Sequence, residues 1–127
     1  MTRVLKSMSH LPQDQDGDVT SAVIFLHGYG ANGADLMGLA EVLADHMPGT
    51  LFLAPDAPET TVMAPMGLQW FPIPWIDGSS EEDSANGLRA ASEDLNAYLD
   101  GVMVDYDLLP EQVIIFGFSQ GTMMALH

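Results

Sequence analysis

A chain of 127 residues holds one domain at most. At 47% apolar residues it can bury roughly two thirds of its unfolded surface, which excludes disorder. Three Lys and Arg against 18 Asp and Glu give a net charge of −15, a surface that repels phosphate, so nucleic acid and anionic membrane are poor partners. Without cysteine there are no disulfides or thiolate metal sites, and neither an apolar leader nor a membrane span is evident, so a cytoplasmic protein without stable membrane insertion is expected.

Residues 1–12 read as a first strand or arm, followed by a polar turn over 13–18. Ala22-Val23-Ile24-Phe25-Leu26 is a continuous apolar run, the pattern of a strand buried on both faces. It ends abruptly in a glycine loop, residues 27–33. Over residues 34–47, Leu36, Leu39, Ala40 and Leu43 recur at helical spacing, and Pro48-Gly49 stops the helix. Residues 50–54 form the next apolar strand, closed by Pro55-Asp56-Ala57-Pro58. The segment 58–80 contains Trp70 and Trp75 and is too aromatic to be a solvated linker, so it reads as a long ordered loop. Ser79 and Ser80 are candidate N-caps for a helix reaching about residue 104, with Glu81, Glu82 and Asp83 favourable to its dipole. Leu88, Ala91, Leu95, Leu99 and Val102 are its expected buried stripe. Pro110 separates that helix from the strand Val113-Ile114-Ile115-Phe116. The alternation of strands and helices predicts an α/β fold: a mainly parallel sheet, helices on both faces, right-handed crossovers.

The last strand leads into Gly117-Phe118-Ser119-Gln120-Gly121 and then helix-compatible residues. Strand, Gly-x-Ser-x-Gly turn and helix in that order make a nucleophile elbow. The two glycines remove Cβ atoms where strand and helix pass closely, and the turn lifts Ser119 toward solvent at a helix N-terminus, where a developing oxyanion is favoured. Read by itself the pentapeptide is also compatible with an ordinary turn carrying an inert serine.

The earlier loop has two readings. Gly28, Gly30 and Gly33, with Asp56 after the next strand, spell a dinucleotide fingerprint that would seat a pyrophosphate and a ribose. Alternatively, its backbone N–H groups complete an oxyanion hole for the serine, with His27 and Gly28 shaping the loop. An oxyanion loop over 27–33 preceding an elbow over 117–121 is the order a hydrolase needs.

Phe25-Leu26-His27-Gly28-Tyr29-Gly30, Trp70-Phe71 and Gly117-Phe118-Ser119-Gln120-Gly121 resemble the phospholipase/carboxylesterase family of α/β-hydrolases, which includes the acyl-protein thioesterases. The likeness runs from about residue 20 to the last residue. It implies hydrolysis of a small-molecule carboxylic ester or thioester, Ser119 as nucleophile, and no metal or organic cofactor. It also implies that Tyr29 and Gln120 hold the oxyanion through their backbone N–H groups, and that Trp70 lines an acyl pocket, packing of the loop being its other reading. The sequence departs from the family where Tyr29 replaces a smaller aliphatic residue and Phe71-Pro72 replaces a Phe-Asp pair.

A serine nucleophile needs a histidine base and a carboxylate to orient it, and in this fold both follow the serine in the chain. Only eight residues follow Ser119. His127 would lie about 12 Å down the helix axis at about 1.5 Å per residue, away from the elbow. His27 is expected to make structural hydrogen bonds, His10 and His46 to lie on the surface, and Asp35 and Asp56 to serve capping and turns. Residues 1–127 are therefore expected to be one incomplete, truncated α/β-hydrolase domain, inactive alone, with an unpaired apolar sheet edge that favours homo-oligomers. A non-catalytic, hydrolase-like interaction protein is the remaining alternative.

Overall fold

The computed structural model describes residues 2–11, 19–61 and 67–126. The polar turn expected over 13–18, His127 and part of the loop expected over 58–80 lie wholly or partly outside them. Among the described residues six strands form two sheets. The main sheet has the order β1-β3-β2-β6, built from β1 (Ser7–His10), β2 (Ser21–Leu26), β3 (Thr50–Pro55) and β6 (Val113–Gly117). β2 pairs in parallel with both β3 and β6, whereas β1 runs antiparallel to β3. The sheet is thus mainly parallel with one reversed edge. An edge strand with three exposed residues out of four needs no crossover helix to cover it, which is why its sequence lacks the apolar run of its neighbours.

Alternation along β2 sorts its side chains to two cores. Ala22, Ile24 and Leu26 join Leu51 and Leu53 of β3 on one face; Val23 and Phe25 join Phe52 and Ala54 on the other. On the second face lies α1 (Met37–Ala44), which buries Ala40 and Ala44, with Leu36 and Leu43 packed against the same core; Leu39 remains 38% exposed. Alanines at the contact let the helix approach the sheet closely. Its first turn is 3₁₀, over Gly33–Leu36, capped by Asn32, whose side chain accepts from Asp35 N–H while the Asp35 carboxylate accepts from Asn32 N–H.

The first face is covered by α3 (Glu81–Asp105) and α4 (Gln120–Leu126), with Ala91, Leu95 and Val102 of α3 and Met124 of α4 in its core. Leu88 and Leu99 pack at the margin of this core. Ser80 caps α3, accepting from Asp83 N–H at 3.0 Å. The arm preceding β1 is pinned across α3: the nearly buried Asp94 carboxylate accepts from Arg3 N at 2.7 Å and Arg3 Nε at 2.8 Å.

The segment between β3 and α3 is more regular than the long loop expected there. It contains β4 (Glu59–Thr60) and β5 (Leu68–Gln69), paired antiparallel, and the single turn α2 (Pro74–Asp77). Its aromatics divide: Trp70 and Phe71 are buried, while Trp75 is 81% exposed. At the opposite edge from β1, β6 has no further partner among the described residues, and Ile114, Ile115 and Phe116 are 37–49% exposed. Among the described residues no helix is long and apolar enough to cross a membrane.

Candidate active site

β2 and β6 are neighbouring parallel strands with Leu26 opposite Gly117, so the loops leaving their C-terminal ends emerge side by side. That end of an open parallel sheet is where ligands bind. The ladder extends one residue past the strands, Phe118 N–H donating to Leu26 O at 3.0 Å. The chain then turns into α4, with Gly121 N–H donating to Phe118 O at 2.8 Å and Thr122 N–H to Ser119 O at 2.9 Å.

Ser119 is exposed and has φ 52°. A side chain in the left-handed region costs roughly 1 kcal/mol and persists only where the surroundings impose it. Here the surroundings are glycines. A Cβ at Gly121 would run into Leu26 O and approach His27 O to 2.7 Å, and one at Gly117 would lie 2.6 Å from Thr122 Cα. From the other side, a Cβ at Gly28 would meet Ser119 Cβ at 3.1 Å and Phe118 O at 3.3 Å. The two glycine loops read separately in the sequence are therefore in contact, with Ser119 between them and solvent.

His27 is completely buried and both ring nitrogens are committed. Ala57 N–H donates to Nε2 at 2.9 Å, so Nε2 is an acceptor and the proton resides on Nδ1, which donates to Gly28 O at 2.8 Å. Burial holds its pKa below the usual histidine value, against smaller opposing effects of the Gly28 bond, Asp56 and Asp35. The ring stacks on Trp70, centroids 5.4 Å apart. Its role in the structure is to fasten the glycine loop to the segment after β3. Beyond it, Gly30 takes φ 81° and donates its N–H to Leu68 O at 2.8 Å, while Leu68 N–H donates to Ala31 O at 3.0 Å, so β5 grips the loop. Neither Tyr29 N–H nor Gln120 N–H has an acceptor among the described residues. Among the described residues the Tyr29 hydroxyl is enclosed without a hydrogen-bond partner, and burial, then the Asp77 carboxylate, raises its pKa.

Trp70 is fully buried, with no exposed surface. Its indole N–H donates to His27 O at 2.9 Å and its backbone N–H to Gln120 Oε1 at 2.8 Å. Gln120 Nε2 in turn donates to Phe71 O at 2.9 Å. This buried use of the Gln120 side chain has no local sequence signal, because its partners lie some 50 positions away. The remaining candidates are structural. Asp35 belongs to the capping box, His46 is exposed, and His10 is half-buried on β1 with its ring edge toward Phe52. Asp56 accepts from Gly33 N–H at 2.8 Å, so the donor a dinucleotide fingerprint would aim at a phosphate is occupied by the carboxylate it would aim at a ribose. Among the described residues no cluster of three or more His, Asp or Glu could hold a metal ion, and His27, the histidine of the loop beside Ser119, has both ring nitrogens committed.

Comparison with known proteins agrees with this geometry. The phospholipase/carboxylesterase family matches residues 13–127. Acyl-protein thioesterase 1 of Saccharomyces cerevisiae is 36% identical over 115 residues, covering 82% of this chain and 48% of that protein. The protein of the same name from Cryptococcus neoformans is 29% identical over 120 residues, covering 91% of this chain and 50% of that protein. The crystal structure of esterase PE8 superposes with a TM-score of 0.84 at 35% identity, covering 98% of this chain and 56% of its own. The chain spans about half the length of the curated relatives it matches. With the family matched over nearly its whole length, this chain belongs to the phospholipase/carboxylesterase family of α/β-hydrolases.

Proposed function

We propose that this chain carries the nucleophile and oxyanion donors of a serine carboxylesterase or thioesterase. The carrying observation is the left-handed, exposed Ser119 packed against Gly28 of the neighbouring loop. In this reading Ser119 Oγ attacks the carbonyl carbon of an ester or thioester as a base removes its proton. The N–H groups of Tyr29 and Gln120 stabilise the oxyanion of the tetrahedral intermediate. Collapse expels the alcohol or thiol, protonated by the same base, and water hydrolyses the acyl-enzyme by the reverse sequence. His27, the histidine of the loop beside Ser119, has both ring nitrogens committed, so the reading assigns base and orienting carboxylate to parts of the whole protein outside these residues. The chain's half-length coverage of its relatives supports that assignment. By the same reading, residues 1–127 form one incomplete hydrolase domain, inactive alone, acting in the cytoplasm on a small-molecule substrate without metal or cofactor.

The test is steady-state hydrolysis of p-nitrophenyl esters and an acyl thioester by the natural-length protein and its Ser119→Ala variant. Turnover that disappears with Ser119→Ala while the melting temperature holds supports the reading. Turnover that survives the substitution removes it.

A further inference from the structure

The two proposed oxyanion donors sit on different loops, one after β2 and one after β6. Strand pairing fixes the stems of these loops but ends at Phe118 and Leu26, short of both donors. An oxyanion hole works only if its donors keep a fixed separation, because preorganisation supplies the stabilisation. Something beyond the ladder must therefore hold Tyr29 and Gln120 relative to each other.

We propose that Trp70 is a positioning residue, a strut that sets the spacing of the two halves of the oxyanion hole; the proposal rests on the serine-hydrolase reading above. Trp70 hydrogen-bonds to both loops. Its indole Nε1–H donates to the carbonyl of His27, two residues before Tyr29, at 2.9 Å. Its backbone N–H donates to the side chain of Gln120 at 2.8 Å, and the Gln120 amide closes a ring of bonds by donating to Phe71 O at 2.9 Å. His27 O is also the carbonyl that a Cβ at Gly121 would approach, so the elbow helix and the Trp70 indole converge on one peptide group. The stack of Trp70 on His27, whose ring bonds reach Gly28 O and Ala57 N–H, braces the same peptide from the other side.

Every member is buried: His27 and Trp70 are 0%, Gln120 1% and Phe71 7% exposed. No water competes, so loss of one donor leaves its acceptor unsatisfied and both loops free to shift. The strut touches no substrate. Its effect is on where the donors stand, so it belongs to kcat rather than to KM.

The experiment replaces Trp70 by benzothienylalanine, which keeps the bicyclic shape and has sulfur in place of the N–H, in the natural-length protein. Gln120→Met is made separately and in combination. Steady-state hydrolysis of a p-nitrophenyl ester and the affinities for a trifluoromethyl ketone and the product carboxylate are measured. The strut gives a fall in kcat of tenfold or more with KM within twofold, a parallel loss of trifluoromethyl ketone affinity, and unchanged carboxylate binding. The combined variant loses little more than either single one, since both break one unit. Trp75→Phe, altering an exposed tryptophan outside the network, leaves all constants unchanged. A benzothienylalanine variant with kcat within twofold of the parent overturns the strut, as does a kcat loss that the ketone affinity does not follow. A parent protein without a fluorophosphonate adduct on Ser119 removes the serine-hydrolase reading and the strut with it, whereas an adduct together with full turnover in the variant removes the strut alone.

Discussion

Gly28→Ala separates the fold from the site at one atom. The added methyl would lie 3.1 Å from Ser119 Cβ, 3.3 Å from Phe118 O and 3.8 Å from Ser119 Oγ. The first two contacts are too close by a few tenths of an ångström. Gly28 does not adopt a left-handed φ, so alanine brings no backbone strain, and overpacking of this size costs about 1 kcal/mol. That corresponds to a loss of roughly 2–4 °C in Tm for a protein of 150–250 residues. The neighbour that must give way is the proposed nucleophile, displaced relative to the oxyanion donors. A misplacement of about 1 Å costs up to 10²-fold in rate, and a few tenths a substantial part of that. The assay pairs thermal unfolding with the second-order rate constant for fluorophosphonate labelling of Ser119 in the natural-length protein. The expected result is a melting temperature within about 5 °C of the parent and a labelling rate at least tenfold lower. Parental labelling speed in a folded Gly28→Ala protein would refute the packing of the two loops around Ser119.

The remaining predictions concern the buried polar network and the sheet edge. Because burial depresses the His27 pKa, the unfolded chain binds the proton more readily; stability is therefore fully present above about pH 6.5, the unfolded value, and falls as pH drops from there through the lower folded pKa. Urea titrations should show this slope, and His27→Gln, which can both donate and accept, should flatten it; an equal slope in both proteins would rule His27 out as its source. Arg3→Ala removes the Nε bond to the nearly buried Asp94 but leaves the backbone bond, so a loss of about 1–3 kcal/mol is expected by urea denaturation, and no loss would mean the arm is not held by this pair. Ile114, Ile115 and Phe116 expose an unpaired strand edge, so the 127-residue polypeptide by itself should self-associate, and Ile115→Lys should shift its sedimentation toward monomer. A monomeric parent would contradict that reading of the edge.

The parts of the fold legible in the sequence were those written in short-range patterns. The apolar run of β2 read as a doubly buried strand and that of β3 as an apolar strand, and both faces of each are covered. Ser79, Ser80 and the acids after them marked the start of α3 because capping acts over three residues, and Ser80 is the cap. The glycines of the elbow spoke through backbone contacts that glycine alone permits. What stayed hidden depends on partners distant in sequence. Nothing near Gln120 says that its amide grips Trp70 and Phe71, and nothing near Arg3 points to Asp94. Composition made Trp70 and Trp75 look alike, yet one is the centre of a buried network and the other is largely solvated. Their difference arises from the short β4–β5 pairing and the α2 turn, whose few residues carry too little periodicity to be read.

Whether Ser119 is an activated nucleophile is decided by intact mass and peptide mapping of the natural-length protein after exposure to a fluorophosphonate. An activated Ser119 gives a single adduct, on Ser119, that is lost in Ser119→Ala. A folded protein that takes no adduct, or takes it on another residue, shows that Ser119 is not an activated nucleophile.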